Sequence, residues 1–191
     1  MSTEVGLFIP LPPATASLFP VNGRKGADSS PAHVTFLYVG DVSKEQESEF
    51  LKIVNAACQN TWAPVTAHLT GELERFQDAS AVNTAWVMPV VFSTDISKVR
   101  WQIYSDLVSA GFVVQEGFPL SYRPHSTIAY EPGLGIEKYT GAMPDLSGGK
   151  GTWTFDEIEV WGLTGGTKKV SLNRTLINHW RGGQPTKQYR Y

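Results

Sequence analysis

Twice in this chain a histidine opens a run of β-branched and aromatic residues, with a threonine two positions later. The first run is Pro31-Ala32-His33-Val34-Thr35-Phe36-Leu37-Tyr38, and the second is Pro124-His125-Ser126-Thr127-Ile128-Ala129-Tyr130. Runs of this composition, bounded by proline, read as strands. Side chains two apart on a strand share a face, so each run presents an imidazole and a hydroxyl on one surface. Two such pairs facing one cleft supply two proton-transfer groups and two hydrogen-bond donors, the equipment for splitting a phosphate ester without a metal. His68-Leu69-Thr70 repeats the spacing but lacks the context. It lies inside Val65-Thr66-Ala67-His68-Leu69-Thr70-Gly71-Glu72-Leu73, where alternation continues on both sides and then turns charged, so His68 reads as an ordinary strand residue.

The rest of the chain organises around those two strands. Val5 to Leu11 reads as a first strand, followed by a Pro-, Gly-, Ser- and Asn-rich loop from Pro12 to Ser30. Ser43 is placed to cap a helix, with Gln46 in capping-box position. Phe50, Ile53, Val54, Ala57 and Cys58 follow as its apolar face, and Pro64 closes the segment. Strands are predicted at 65–76 and 84–92, and Pro89 inside the second argues for a bulge or an edge position. Asp95 is placed to cap a second helix with the face Ile96, Val99, Ile103 and Leu107 and a stop at Gly111. A short strand over Phe112 to Gln115 precedes the His125 strand. A Gly- and Pro-rich stretch, Glu131 to Thr152, leads to final strands near 153–163 and 168–177. Both long irregular stretches adjoin a histidine strand in sequence, which suits either the rim of a cleft or plain disorder.

With 191 residues, 41% hydrophobic and 18% charged, the chain suits one compact domain or two intimately packed halves. A histidine strand followed by a helix, then a helix followed by a histidine strand, predicts an α+β domain with an internal pseudo-dyad. Net charge is −2, which lacks the basic footprint of proteins that coat long nucleic acid. A small nucleotide or a chain end is the expected partner, not a long duplex. Cys58 is the one cysteine, which excludes an internal disulfide and reads as a buried structural thiol in a reducing compartment. The segment Met1 to Leu11 lacks a positive n-region, and no apolar run approaches the ~18 residues of a membrane span. A cytoplasmic protein without membrane contact is expected.

Other chemistries do badly. There is no H-E-x-x-H, no cysteine pair and no His/Asp ladder, so neither a metal nor another cofactor is expected. Gly148-Gly149-Lys150-Gly151-Thr152 lacks the spacing of a phosphate loop and reads as a flexible turn, and no G-x-S-x-G elbow is present. Base recognition calls for aromatic stacking and a few cations. Phe8, Phe19, Tyr122, Arg123 and Trp161 are the candidates for substrate contact, weighed against plain packing roles.

With His33-Val34-Thr35-Phe36 and His125-Ser126-Thr127-Ile128 placed on strands in two halves, the sequence resembles the 2H phosphoesterase superfamily. That group includes RNA 2′,3′-cyclic phosphodiesterases, bacterial 2′-5′ RNA ligase-like proteins, and viral enzymes that degrade 2′-5′ oligoadenylate or cyclic nucleotide signals. The resemblance runs from about Val5 to Ile177 and implies a bilobal fold, two pseudo-symmetric sheet-and-helix lobes around a central cleft. It divides the chain into a single bilobal domain over 1–177 and a C-terminal tail over 178–191. In that tail Trp180, Arg181, Lys187, Tyr189, Arg190 and Tyr191 mix aromatic and basic character, suited to closing over a nucleotide or to fraying.

The same resemblance implies His33, Thr35, His125 and Thr127 as the catalytic set. Free imidazole titrates near ~6.5, so at neutral pH one histidine can be neutral while the other is protonated. The neutral one takes a proton from a ribose 2′-OH or water, and the protonated one gives a proton to the leaving oxygen; the sequence leaves open which is which. The threonines donate hydrogen bonds to the non-bridging oxygens. The expected activity is metal-independent cleavage of small RNA-like nucleotides, cyclic or 2′-5′-linked signalling oligonucleotides, in the host cytoplasm if the source is viral. Two alternatives stand beside it: an RNA-end 2′,3′-cyclic phosphodiesterase, and a nucleotide-binding module without turnover. The oligomeric state is open.

Overall fold

Val5, Leu7 and Ile9 alternate with Gly6 and Phe8, and that period of two builds the first strand, β1 (Ser2–Pro10), with the three aliphatic side chains fully buried. The structure, a computed structural model, describes residues 2–19, 32–59, 61, 63–77, 83–115, 122–133 and 137–172. A one-turn helix, α1 (Pro13–Ala16), follows β1, and then come β2 (His33–Ser43), α2 (Glu47–Cys58), β3 (Val65–Leu69), β4 (Glu74–Gln77) and β5 (Asn83–Phe92). The order continues with α3 (Ser97–Ser109), β6 (His125–Pro132), β7 (Thr152–Phe155), β8 (Glu157–Trp161) and β9 (Lys168–Ser171). The tail over 178–191 lies outside the described residues.

All these strands join one antiparallel sheet in the order β7-β3-β5-β6-β2-β1-β8-β9, with β4 paired to β5 off that path. The two histidine strands, β2 and β6, meet at its middle. Outward from that seam each side runs histidine strand, neighbour, then two further strands, so the α+β bilobal architecture and its pseudo-dyad are realised. Both helices keep the apolar faces read from the sequence. In α2, Phe50, Val54, Ala57 and Cys58 are buried, while Ile53 is half-buried. The cap read at Ser43 is displaced: Ser43 ends β2, α2 takes Gln46 as its N-cap with no side-chain cap bond, and Gln46 Oε1 accepts the Ser43 N–H at 3.1 Å. In α3, Val99, Ile103 and Leu107 are buried, Asp95 Oδ1 accepts the Ser97 N–H at 3.0 Å, and Gly111 turns the chain at φ +86°. The helices pack on each other, α3 against β2 and α2 against β9, which closes the core on one face of the sheet. Burial pushes the Cys58 thiol up to about 12, so it stays protonated at neutral pH.

Three boundaries differ from the sequence reading, each for a tertiary reason. The run 65–76 is not one strand. It breaks into β3 and β4 around Gly71, whose φ of +82° suits glycine. The run 153–163 splits at Asp156: β7 pairs with β3 at one end of the sheet, and β8 crosses to pair with β1 in the other lobe. The C-terminal strands β8 and β9 therefore complete the N-terminal lobe. Gly162 then leaves β8 at φ +87°, where an added Cβ would lie 1.9 Å from the Glu4 carbonyl oxygen, so no other residue fits this backbone approach. Residues 112–115 form no strand, although Gln115 N–H still bonds to Val39 O at 2.9 Å.

Pro89 occupies an interior strand, and pairing explains why it is tolerated. A strand residue's N–H and C=O face the same neighbour, and Pro89 O accepts from Thr70 N–H at 3.0 Å. On that side β5 passes from β4, paired up to Val87, to β3, paired from Val90. The missing N–H falls at the changeover, opposite Thr70, so the proline forgoes one bond at the end of the β3 ladder and none within it. The described parts of the two long irregular stretches also meet. Thr15 of α1, 2% exposed, donates its hydroxyl to Lys150 O at 3.0 Å. Lys150 itself pairs with Asp145 at 2.7 Å, and that bond holds the Asp145 carboxyl well below the usual carboxylate range.

Candidate active site

One register pair determines the geometry of the site. β2 and β6 are antiparallel and matched at Val34↔Ser126. His33 therefore stands opposite Thr127, and Thr35 opposite His125. Val34 and Ser126 are fully buried towards the helices, whereas all four flanking residues are half-buried on the other face. Opposite residues of an antiparallel pair lie roughly 5 Å apart and diagonal ones roughly 7–8 Å. The two histidines occupy one diagonal and the two threonines the other. A tetrahedral phosphate at the centre of that square can meet an imidazole on each of two sides and a hydroxyl on each of the other two.

The strands reach this arrangement through matching irregularities. β1 and β2 pair Phe8↔Thr35 and then Leu7↔Leu37, which leaves Phe36 as an extra residue. β5 and β6 pair Val87↔Thr127 and then Trp86↔Ala129, which leaves Ile128 extra. Each bulge falls directly after the threonine of its motif. A bulge puts two consecutive residues on one face and tightens the local twist. Phe36 with Leu37, and Ile128 with Ala129, are accordingly buried side by side. Each bulge thus anchors its motif in the core immediately beyond the threonine.

The two histidines have different surroundings. His33 meets Phe8 edge-on at 4.9 Å between ring centroids and Trp161 edge-on at 5.0 Å, while Phe8 and Trp161 stack at 4.2 Å. The Phe8 ring lies over Gly6, where a Cβ would come within 2.5 Å of it. Trp161 Nε1–H donates to Glu159 Oε2 at 2.8 Å. His125 lies against the ring of Phe76 at 4.6 Å, and its Nδ1 is 2.7 Å from Arg123 O. A carbonyl only accepts, so Nδ1 carries the proton in this bond and Nε2 is the nitrogen left for acid–base work. Arg123 sits over Phe76, 5.3 Å from Cζ to the ring centroid, and pairs with Glu74.

Of the residues singled out for substrate contact, Phe8 and Trp161 flank His33 and Arg123 precedes His125. Tyr122 is half-buried, and its hydroxyl donates to Thr35 O at 3.1 Å. Phe19 belongs to the apolar core at 3% exposure, with no ring face left for a base. Phe76 escaped the sequence reading. It ends a run read as one strand, and only the pairing of β4 with β5 carries it to His125. His68 stands apart on β3: exposed, with Nδ1 2.9 Å from Thr152 Oγ1, which itself belongs to β7. Thr70 does not join it as a pair, because its hydroxyl accepts the Glu72 N–H at 3.3 Å. Among the described residues no group of three or more His, Cys, Asp and Glu side chains is arranged to hold a metal, and no helix is long and apolar enough to cross a membrane.

Comparison with solved structures finds the same fold in several proteins. TT0787 of Thermus thermophilus superposes with a TM-score of 0.62 at 15% identity, over 88% of this chain and 97% of that one. Escherichia coli LigT complexed with 3′-AMP gives 0.51 at 15% identity, over 90% and 95%. Usb1 of Kluyveromyces marxianus with uridine monophosphate gives 0.57 at 10% identity, over 88% and 99%. Comparison with curated protein sequences gives no match. The model of the 2′-5′ RNA ligase superfamily matches residues 12–167, a span that holds both histidine motifs. The chain belongs to that superfamily, within the 2H phosphoesterases, and is a phosphodiesterase of the 2H type.

Proposed function

We propose that this protein cleaves small RNA-like nucleotides, cyclic or 2′-5′-linked oligonucleotides, by metal-independent acid–base catalysis with His33 and His125. The observation that carries this reading is the register Val34↔Ser126, which sets the histidines on one diagonal of a four-residue square and Thr35 and Thr127 on the other. One imidazole, neutral, takes the proton of the attacking hydroxyl as its oxygen bonds to phosphorus. The other, protonated, delivers a proton to the leaving oxygen as the old P–O bond breaks. Both threonine hydroxyls donate to the non-bridging oxygens, where charge grows. The nucleophile is the ribose hydroxyl next to the phosphate, or water where the substrate is already a 2′,3′-cyclic phosphate.

Bases have aromatic walls on both flanks, Phe8 with Trp161 beside His33 and Phe76 beside His125. Charge supports a short substrate. Arg123 is balanced by Glu74, Glu159 lies beside Trp161, and the chain carries a net −2. The mononucleotides held by LigT and Usb1 favour a second reading, opening of 2′,3′-cyclic phosphates at RNA ends. A panel in EDTA separates the two: 2′,3′-cyclic mononucleotides, 2′-5′ oligoadenylate and 3′,3′-cyclic dinucleotides. The first reading expects the oligonucleotides to be cut at least tenfold faster than the mononucleotides, at rates within about twofold of those without chelator. Faster opening of the mononucleotides selects the second reading. Activity that vanishes in EDTA and returns with a divalent ion sinks both.

A further inference from the structure

Among the described residues β2 and β6 register at Val34↔Ser126 alone, so the seam that sets the spacing of the two motifs has little ladder to hold it. Two side chains that precede the second motif in the chain, one on α3 and one beside His125, hold the first motif instead. Arg100 of α3, 2% exposed, donates from Nε to Phe36 O at 2.7 Å, the carbonyl of the bulge residue after Thr35. Tyr122, three residues before His125, donates its hydroxyl to Thr35 O at 3.1 Å. Its ring centroid lies 4.4 Å from Arg100 Cζ, and its edge meets Phe36 at 6.2 Å between centroids. Two consecutive carbonyls of the first motif are thus gripped by one cation–π pair, a buried Arg100 and a half-buried Tyr122. A buried guanidinium is expensive unless bonded, and in this setting its bonds are strong and directional.

We propose that Arg100 and Tyr122 are positioning residues, a brace across the seam that fixes the distance between the two histidine–threonine pairs. The inference rests on the two-histidine reading above. Misplacement of a reacting group by about 1 Å can cost on the order of 10²-fold in rate, so a seam with one register pair leaves such a brace a large effect to exert.

Tyr122→Phe tests it. The substitution deletes the bond to Thr35 O and keeps the ring beneath Arg100, so the variant should melt within a few degrees of the native protein. The expected result is a kcat about tenfold lower with KM within about twofold. Repeated in a background that carries both His33→Ala and Thr35→Ala, the same substitution should cost less than about twofold more, because neither side chain of the first pair is then left to be placed. Arg100→Lys, which keeps the charge and loses the planar fork, should show the same dependence on background. Equal losses in both backgrounds, or no loss in the native one, would overturn the brace. A His33→Ala protein with full activity would instead overturn the two-histidine reading, a result visible before Tyr122 is touched.

Discussion

His33→Ala and His125→Ala each lower turnover by roughly 10²–10⁴-fold, the usual range for loss of a positioned acid or base, while His68→Ala leaves the rate nearly intact. The expectation follows from placement. His33 and His125 flank the Val34↔Ser126 pair on one half-buried face, whereas His68 lies exposed on β3 with Thr152 as its partner. Steady-state rates of the three purified variants on the best substrate of the panel check it. If His68→Ala proved as damaging as His33→Ala, the pairing of motifs would be wrong.

Removal of the ribose hydroxyl next to the scissile phosphate has the second large effect. In a 3′-linked substrate that group is the 2′-OH, and in a 2′-5′ linkage it is the 3′-OH. Attack by the neighbouring oxygen is intramolecular, and the square of imidazoles and hydroxyls has only to move protons and stabilise charge on a group already in place. The deoxy analogue should bind with an affinity close to that of the parent and persist uncut over many parent turnovers. Product analysis by chromatography, with binding followed separately, distinguishes slow chemistry from weak binding. Efficient cleavage of the analogue would mean that water or a protein side chain attacks, and the ribose nucleophile would have to be abandoned while the fold stood.

The sequence made local features plain and long-range ones obscure. Period-two alternation and proline flanks marked the histidine strands, and i, i+3, i+4 faces marked α2 and α3, because those signals are carried by neighbours in the chain, whereas the caps read at Ser43 and Asp95 fall before the N-caps Gln46 and Ile96. Register is not carried that way. That Val34 meets Ser126, or that the chain crosses lobes at Asp156, depends on residues far apart in the chain, His68 and Thr152 being the nearest in sequence of those pairs. Some of what was missed left a trace. Phe36-Leu37 and Ile128-Ala129 break the alternation at the same place in both motifs, each before a tyrosine, which is the mark of the two bulges. Arg100 falls four residues after Ile96 and three before Ile103, on the apolar stripe of α3, so a buried role was readable there. Phe76 left no trace, because nothing near it in sequence distinguishes it from a strand end.

The pH–rate profiles of the native protein and its two histidine variants test the central claim most directly. One imidazole must be neutral and the other protonated, so the native rate should pass through a maximum whose limbs report the pair. The variant that lacks the base should lose the acid limb, and the variant that lacks the acid should lose the alkaline limb. His33→Ala and His125→Ala are therefore predicted to lose opposite limbs. Loss of the same limb by both variants, or a full bell retained in either, would contradict two-histidine acid–base catalysis.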